Sequence, residues 1–104
     1  MSKTKEKGDK GLGHVISGLL DQEWHVAIPI SEHLRYDLIA EKNGNMKRVQ
    51  VKYCTERSGV VEVPLRSIWT GRNKVHKTLR RGMEYDVLAV YIPIHNIICY
   101  ISDK

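Results

Sequence analysis

The stretch "RYDLIAEKNGNMKRVQVKY", residues 35–53, decides the fold. Two strand-like runs, 36–42 and 46–54, flank Asn43-Gly44-Asn45, and Asn and Gly accept the left-handed backbone that a tight hairpin turn requires. Alternation in the second run sends Val49 and Val51 to one face and Arg48, Gln50 and Lys52 to the other. With the turn centred on Gly44, paired residue numbers sum to 88, which sets Asp37 opposite residues 50–52. An acid, an amide and an ammonium thus converge at one end of the hairpin. Carboxylate and amide oxygens are hard ligands suited to Mg²⁺. A lysine beside them can position water or offset charge on a phosphate. Gln and Lys alternating on an outer face are also what a solvated antiparallel sheet shows, so spacing alone leaves both readings open.

Working outward, Leu12, Val15, Ile16, Leu19 and Leu20 recur at helical spacing and predict an amphipathic helix from Lys10 to about Glu23, with Asp9 as its cap. Residues 1–8 are expected to be flexible. The run 24–30 reads as a strand that Pro29 confines to a sheet edge. Further strands are expected within 59–65, 84–94 and 96–102, the last two joined by a turn at Pro93–Asn96. Residues 66–81 read as a basic connection with a short helix near its end. No repeat or second domain is visible. The order predicts a single α+β (α/β) domain, 1–104, with a central mixed sheet and flanking helices.

At 104 residues, 41% hydrophobic and 28% charged, the composition is that of a globular domain, not a disordered one. No run approaches the ~20 apolar residues of a membrane helix, and no apolar segment follows the charged N-terminus as in a secretory signal, so an intracellular chain, cytoplasmic or nucleoid-associated, is expected. Cys54 and Cys99 lack zinc spacing and sit in apolar strand-like segments, which predicts two buried, reduced thiols. The five histidines show no zinc spacing either. Gly11-Leu12-Gly13 has no preceding strand and is no phosphate loop. Trp24 and Trp69 are expected as core or half-buried aromatics.

The net charge of +5 is unevenly placed: Arg66, Arg72, Lys74, His76, Lys77, Arg80 and Arg81 fall between Pro64 and Gly82 with no acid among them. Such a run suits a polyanion, and nucleic acid is the default partner. Arg35 and Arg57 are further candidates for phosphate contact.

The hairpin resembles the PD-(D/E)xK nuclease superfamily, in which an acid opens one strand and acid-x-Lys closes the next. More narrowly it is similar to the group I intron-associated homing endonucleases, which use Gln-x-Lys. Their ordered landmarks appear here as Lys7-Gly8-Asp9-Lys10-Gly11, the helix to Glu23, Val26-Ala27-Ile28-Pro29, Tyr36-Asp37-Leu38, Gln50-Val51-Lys52 and a late "EYDVLAVYIP" segment, covering about residues 7–94. The resemblance implies a restriction-endonuclease-like core and Mg²⁺-dependent phosphodiester hydrolysis of DNA, with Mn²⁺ as a substitute. Asp37 would be the metal-binding carboxylate, with Gln50 and the Val51 carbonyl as further oxygen ligands, and Lys52 would orient water and offset charge. The resemblance departs at Leu12, which stands where the family's helix carries a glutamate.

The reading is therefore a small endonuclease acting on double-stranded DNA, expected to be a homo-oligomer, dimer or tetramer, since cutting both strands needs two sites. Its rivals are a DNA-binding module on a nuclease scaffold without chemistry and a resolvase specific for branched DNA. Nothing in the residues excludes RNA.

Overall fold

Asn43 and Gly44 adopt positive φ, 54° and 85°, and close a two-residue turn of the kind whose twist matches that of the strands it joins. The computed structural model describes residues 3–61 and 84–102. In chain order these form α1 (Lys3–Asp21), β1 (His25–Ala27), β2 (Leu38–Lys42), β3 (Asn45–Tyr53), β4 (Glu56–Arg57), β5 (Val60–Val61), β6 (Val87–Ile92) and β7 (Ile97–Ser102). Five strands make one mixed sheet in the order β1-β2-β3-β6-β7, and β4 and β5 form a separate hairpin. Among the described residues only β3 and β6 pair in parallel. The mixed α+β architecture expected from the sequence is present, with α1 the helix that flanks the sheet among the described residues.

The hairpin register is one residue tighter than a turn centred on Gly44 would give. Lys42 pairs with Asn45 and Leu38 with Val49, so paired numbers sum to 87 and Asp37 aligns with Gln50, still within the expected span. The favoured two-residue turn absorbs only Asn43 and Gly44 and returns Asn45 to the strand.

The helix also starts earlier than its apolar stripe, at Lys3 rather than Lys10, so Asp9 lies inside it and caps nothing. Glu6 with Lys10 and Lys5 with Asp9 stand four residues apart, and such pairs support helical turns that bury little. At the other end Glu23 takes φ 73° while its N–H reaches the Leu20 carbonyl at 3.0 Å and the Trp24 N–H reaches that of Leu19 at 3.0 Å. That is a Schellman cap with glutamate where glycine is usual. Lys42 adds a bond from Nζ to the Gln22 carbonyl, 2.9 Å.

Two apolar clusters cover the two faces of the sheet. Under α1 lie Val15, Leu19, Leu38, Ala40, Val49 and Ala89, with Leu12, Trp24 and Val51 packed around them. Val15, Leu38 and Ala89 are fully buried there. On the opposite face Cys54, Leu88, Val90 and Ile92 group with Val61 and Tyr85. Because β6 serves both clusters it is nearly buried throughout, which explains the continuous apolar run that encodes it.

The expected strand at 59–65 is represented by β5, and its remainder lies outside the described residues, as does the 66–81 connection. Cys54 is buried as expected. Cys99 is exposed instead, because β7 is the outer strand of the described sheet and no described element lies over that position. Among the described residues no helix is long and apolar enough to cross a membrane.

Candidate active site

Beyond Leu38 the chain of β2 leaves the sheet, and Asp37 serves the β3 groups left at its edge. Its N–H donates to the Val49 carbonyl at 2.8 Å, and its carboxylate Oδ2 accepts the Val51 N–H at 2.8 Å. A side-chain oxygen thus takes the place of a missing ladder acceptor. The carboxylate stays exposed, and among the described residues no cation pairs with it.

Gln50 and Lys52 project from β3 on the face away from α1, both half-buried, as the alternation of β3 predicts. Among the described residues neither side chain is tied down: no carboxylate lies within ion-pair range of Lys52, and Gln50 makes no side-chain hydrogen bond. Val51 points the other way, into the helix-side cluster. Asp37, Gln50 and Lys52 therefore stand at the same end of the β2–β3 hairpin, with the acid's orientation fixed by the Val51 N–H between the amide and the lysine.

The third polar side chain on that face, Arg48, is committed elsewhere. Its guanidinium donates to Asp86 through Nε and Nη2, each at 3.1 Å, and its backbone N–H donates to Asp86 Oδ2 at 2.7 Å. Hydrogen bonding from Arg48 holds the Asp86 carboxyl below the usual carboxylate range, and the same bond pushes the guanidinium up. The chain thus carries two Tyr-Asp steps, Tyr36-Asp37 and Tyr85-Asp86, each placing a carboxylate on a β3 N–H from opposite sides. One acid is neutralised and the other is left open. Sequence reasoning did not assign Asp86 this role; the repeated Tyr-Asp step was the available signal.

Leu12 is half-buried against the helix-side cluster, so the helix position that carries an acid in the resembled pattern is here part of the core. Next to it, Gly11 lies where an added Cβ would sit 3.6 Å from Val51 and Tyr53, which brings the helix close to the end of β3. Arg35 pairs with Glu84 at 3.6 Å, both side chains well exposed. The Arg57 side chain and Arg66, Arg72, Lys74, His76, Lys77, Arg80 and Arg81 lie outside the described residues, as does Trp69.

Other chemistry is poorly supported. Burial pushes the Cys54 thiol up, against a smaller pull from Lys52, so it is a poor nucleophile. Among the described residues no three His, Cys, Asp or Glu side chains group as metal ligands. A mostly apolar cleft of about 310 Å³ between α1 and the sheet, lined by Leu19, Trp24, Val49, Val87 and Tyr100, has no acid among its described lining residues.

These features agree with what the chain resembles. It is similar to the structure of a bacterial homing endonuclease, I-Ssp6803I, with a TM-score of 0.71 and 23% identity over 98% of this chain and 67% of that one, a likeness of fold. No curated protein sequence matches. The family model described as PD-(D/E)XK endonuclease matches residues 2–103, nearly the whole chain, and the chain belongs to that family.

Proposed function

We propose that this chain is a divalent-metal-dependent DNA endonuclease of the homing type, centred on Asp37, Gln50 and Lys52. The observation that carries the proposal is the exposed Asp37 carboxylate, oriented by the Val51 N–H and aligned with Gln50, beside a lysine that no described carboxylate neutralises. The donor types suit a Mg²⁺ ion that keeps several waters, and the Asp37 carboxylate, the Gln50 amide oxygen and the Val51 carbonyl would hold it. Such an ion supplies charge neutralisation and acidifies a bound water. Asp37 and Gln50 provide its oxygens. Lys52 hydrogen-bonds the attacking water and offsets the charge that grows on the phosphate. Arg35, Arg57 and the basic residues from Arg66 to Arg81 hold the phosphate backbone, which positions DNA without reading its sequence.

Leu12 favours a second reading, a DNA-binding module whose chemistry is lost, because its place in the core removes a carboxylate from the site. The test is cleavage of supercoiled and branched DNA in Mg²⁺ and Mn²⁺ by this chain, Leu12→Glu and Lys52→Ala, beside binding measured in EDTA. Cleavage that survives in Leu12→Glu and disappears in Lys52→Ala supports the nuclease. Binding in EDTA with no cleavage by any variant supports the module, and a preference for branched substrates points to a resolvase.

A further inference from the structure

Along α1, Lys7, Lys10 and His14 stand at i, i+3 and i+7 and share one flank of the helix, while Leu12, Val15 and Leu19 turn to the core. All three basic side chains are exposed. Asp9 stands off this flank and Glu6 borders it beside Lys10. Among the described residues neither lysine lies within ion-pair range of an acid. A run of helix lysines is by default a solvated face. Two contacts set this one apart, because both tie it to the sheet. The Lys7 ammonium stands 5.9 Å from the centre of the Tyr53 ring, and the His14 ring stacks on Tyr91 with centroids 4.2 Å apart and planes 9° from parallel. Gly11, between them, presents no side chain where Val51 and Tyr53 stand 3.6 Å from the position of a Cβ.

Tyr53 and Tyr91 are paired across β3 and β6. Because those strands are parallel, both tyrosines mark carboxyl ends, and Asp37, Gln50 and Lys52 stand toward the same end of β3. Tyr53 directly follows Lys52, so the basic flank of α1 begins beside the proposed centre, on the helix side of the sheet.

We propose that Lys7, Lys10 and His14 form a track for the phosphates of one DNA strand next to the cleavage centre, a surface that rests on the nuclease reading. From Lys7 to His14 the helix rises about 10.5 Å, which matches roughly three steps of one strand at ~3.4 Å each. The members are prepared for the contact. The face of Tyr53 attracts the Lys7 ammonium, which narrows the positions its flexible stem can take and so reduces the ordering that a ligand must impose. Stacking occupies the face of the His14 ring and leaves its in-plane nitrogens for hydrogen bonds. Tyr91 gives that stack a fixed base, since its hydroxyl donates to Asn96 Oδ1 at 3.1 Å and its ring packs tilted against Tyr53 with centroids 5.8 Å apart. Phosphate contacts position a duplex without reading its bases, and here they set which phosphodiester faces Lys52.

Binding of a duplex oligonucleotide, measured in EDTA by fluorescence anisotropy over a series of salt concentrations, tests the track without requiring cleavage. Each phosphate-bound lysine contributes about 0.9 to the slope of log affinity against log salt, so Lys7→Gln with Lys10→Gln should lower the slope by about 1.8. Lys5→Gln removes the same charge from the opposite side of the helix and should leave the slope unchanged. Glu6→Gln removes the acid bordering Lys10 and should tighten binding, an effect that damage to the fold does not produce. His14→Phe keeps a ring on Tyr91 without the nitrogens; it should stay folded by circular dichroism and bind more weakly. The proposal is overturned if the double variant keeps the parent slope, if Lys5→Gln lowers it as much as a track lysine does, if His14→Phe binds as tightly as the parent, or if the parent does not bind DNA. A parent that cleaves in Mg²⁺ while the double variant keeps its slope loses the track and keeps the nuclease. The expected slopes with no cleavage by the parent in Mg²⁺ or Mn²⁺ keep the track and tell against the nuclease reading.

Discussion

The two Tyr-Asp steps make a controlled comparison, because Asp37→Ala and Asp86→Ala remove the same group from the same sequence context. Asp86 accepts three bonds from Arg48, one of them from the backbone, and its side chain is 28% exposed. A fully buried charge-assisted bond contributes about 1.5–3 kcal/mol and an exposed ion pair about 0.2–1 kcal/mol. Taking about 1 kcal/mol for the partly screened pair and about 1–1.5 kcal/mol for the stranded Arg48 N–H, Asp86→Ala should cost about 2–2.5 kcal/mol. That corresponds to a fall in Tm of about 10–20 °C for a domain of this size. Asp37→Ala strands one N–H at an exposed position that water can reach, a cost of about 0.5–1 kcal/mol. Urea titration followed by circular dichroism measures both, and Asp86→Asn, which keeps one acceptor oxygen, should fall between. DNA cleavage should invert the order, with Asp37→Ala abolishing it and Asp86→Ala retaining it at temperatures where the variant is folded. Equal destabilisation by the two alanines, or loss of cleavage in a fully folded Asp86→Ala, would refute the division of labour between the acids.

The Asp86–Arg48 pair also sets an acid limit. Its folded carboxyl titrates below the unfolded value of ~3.9, so its contribution is complete above that pH and is lost as pH falls through the folded value. Stability measured from pH 5 downward should therefore drop more steeply in the parent chain than in Asp86→Asn. At the end of α1, Glu23→Gly should relieve the φ of 73° and raise stability by up to about 1 kcal/mol, read as a higher urea midpoint at unchanged slope. A fall in the midpoint would mean that the glutamate side chain makes a contact outweighing its backbone strain.

The hairpin was legible in the sequence because three local signals agreed: Asn-Gly at the turn, period-two alternation through Val49 and Val51, and polar residues at matching ends. Its exact register was not, since the turn residues allow two or three in the loop and only strand twist decides. The apolar stripe located the packed part of α1 but could not show its first two turns, where residues 5–10 are exposed. The placement of Gln50 and Lys52 on one face of β3, away from α1, followed from parity. The state of each acid did not, because Arg48 reaches Asp86 only through the parallel pairing of β3 with β6, a contact between residues 38 apart in the chain. Cys99 was misread for a related reason: an apolar strand sequence does not say whether its position in the sheet is central or outer.

Charge at the proposed centre decides how a metal would enter it. Asp37 supplies one negative charge, Gln50 is neutral, and Leu12 spends its side chain on the core. A single carboxylate with an amide binds Mg²⁺ weakly, whereas a phosphate arriving with DNA brings the missing charge. Metal and DNA binding should therefore be strongly coupled, each tightening the other by the same factor. Calorimetry with Mg²⁺ alone should show no saturation at millimolar metal, and DNA affinity should rise when Mg²⁺ replaces EDTA. Leu12→Glu and Gln50→Glu should each restore DNA-free binding of the metal. The first should also cost about 1–2 kcal/mol of stability for placing an acid beside the helix-side cluster. Gln50, half-buried on the opposite face, should tolerate its change with little loss of stability, which separates the electrostatic gain from the packing cost. Tight Mg²⁺ binding by the parent chain without DNA would refute this account, because the described acids around Asp37 do not carry enough charge to produce it.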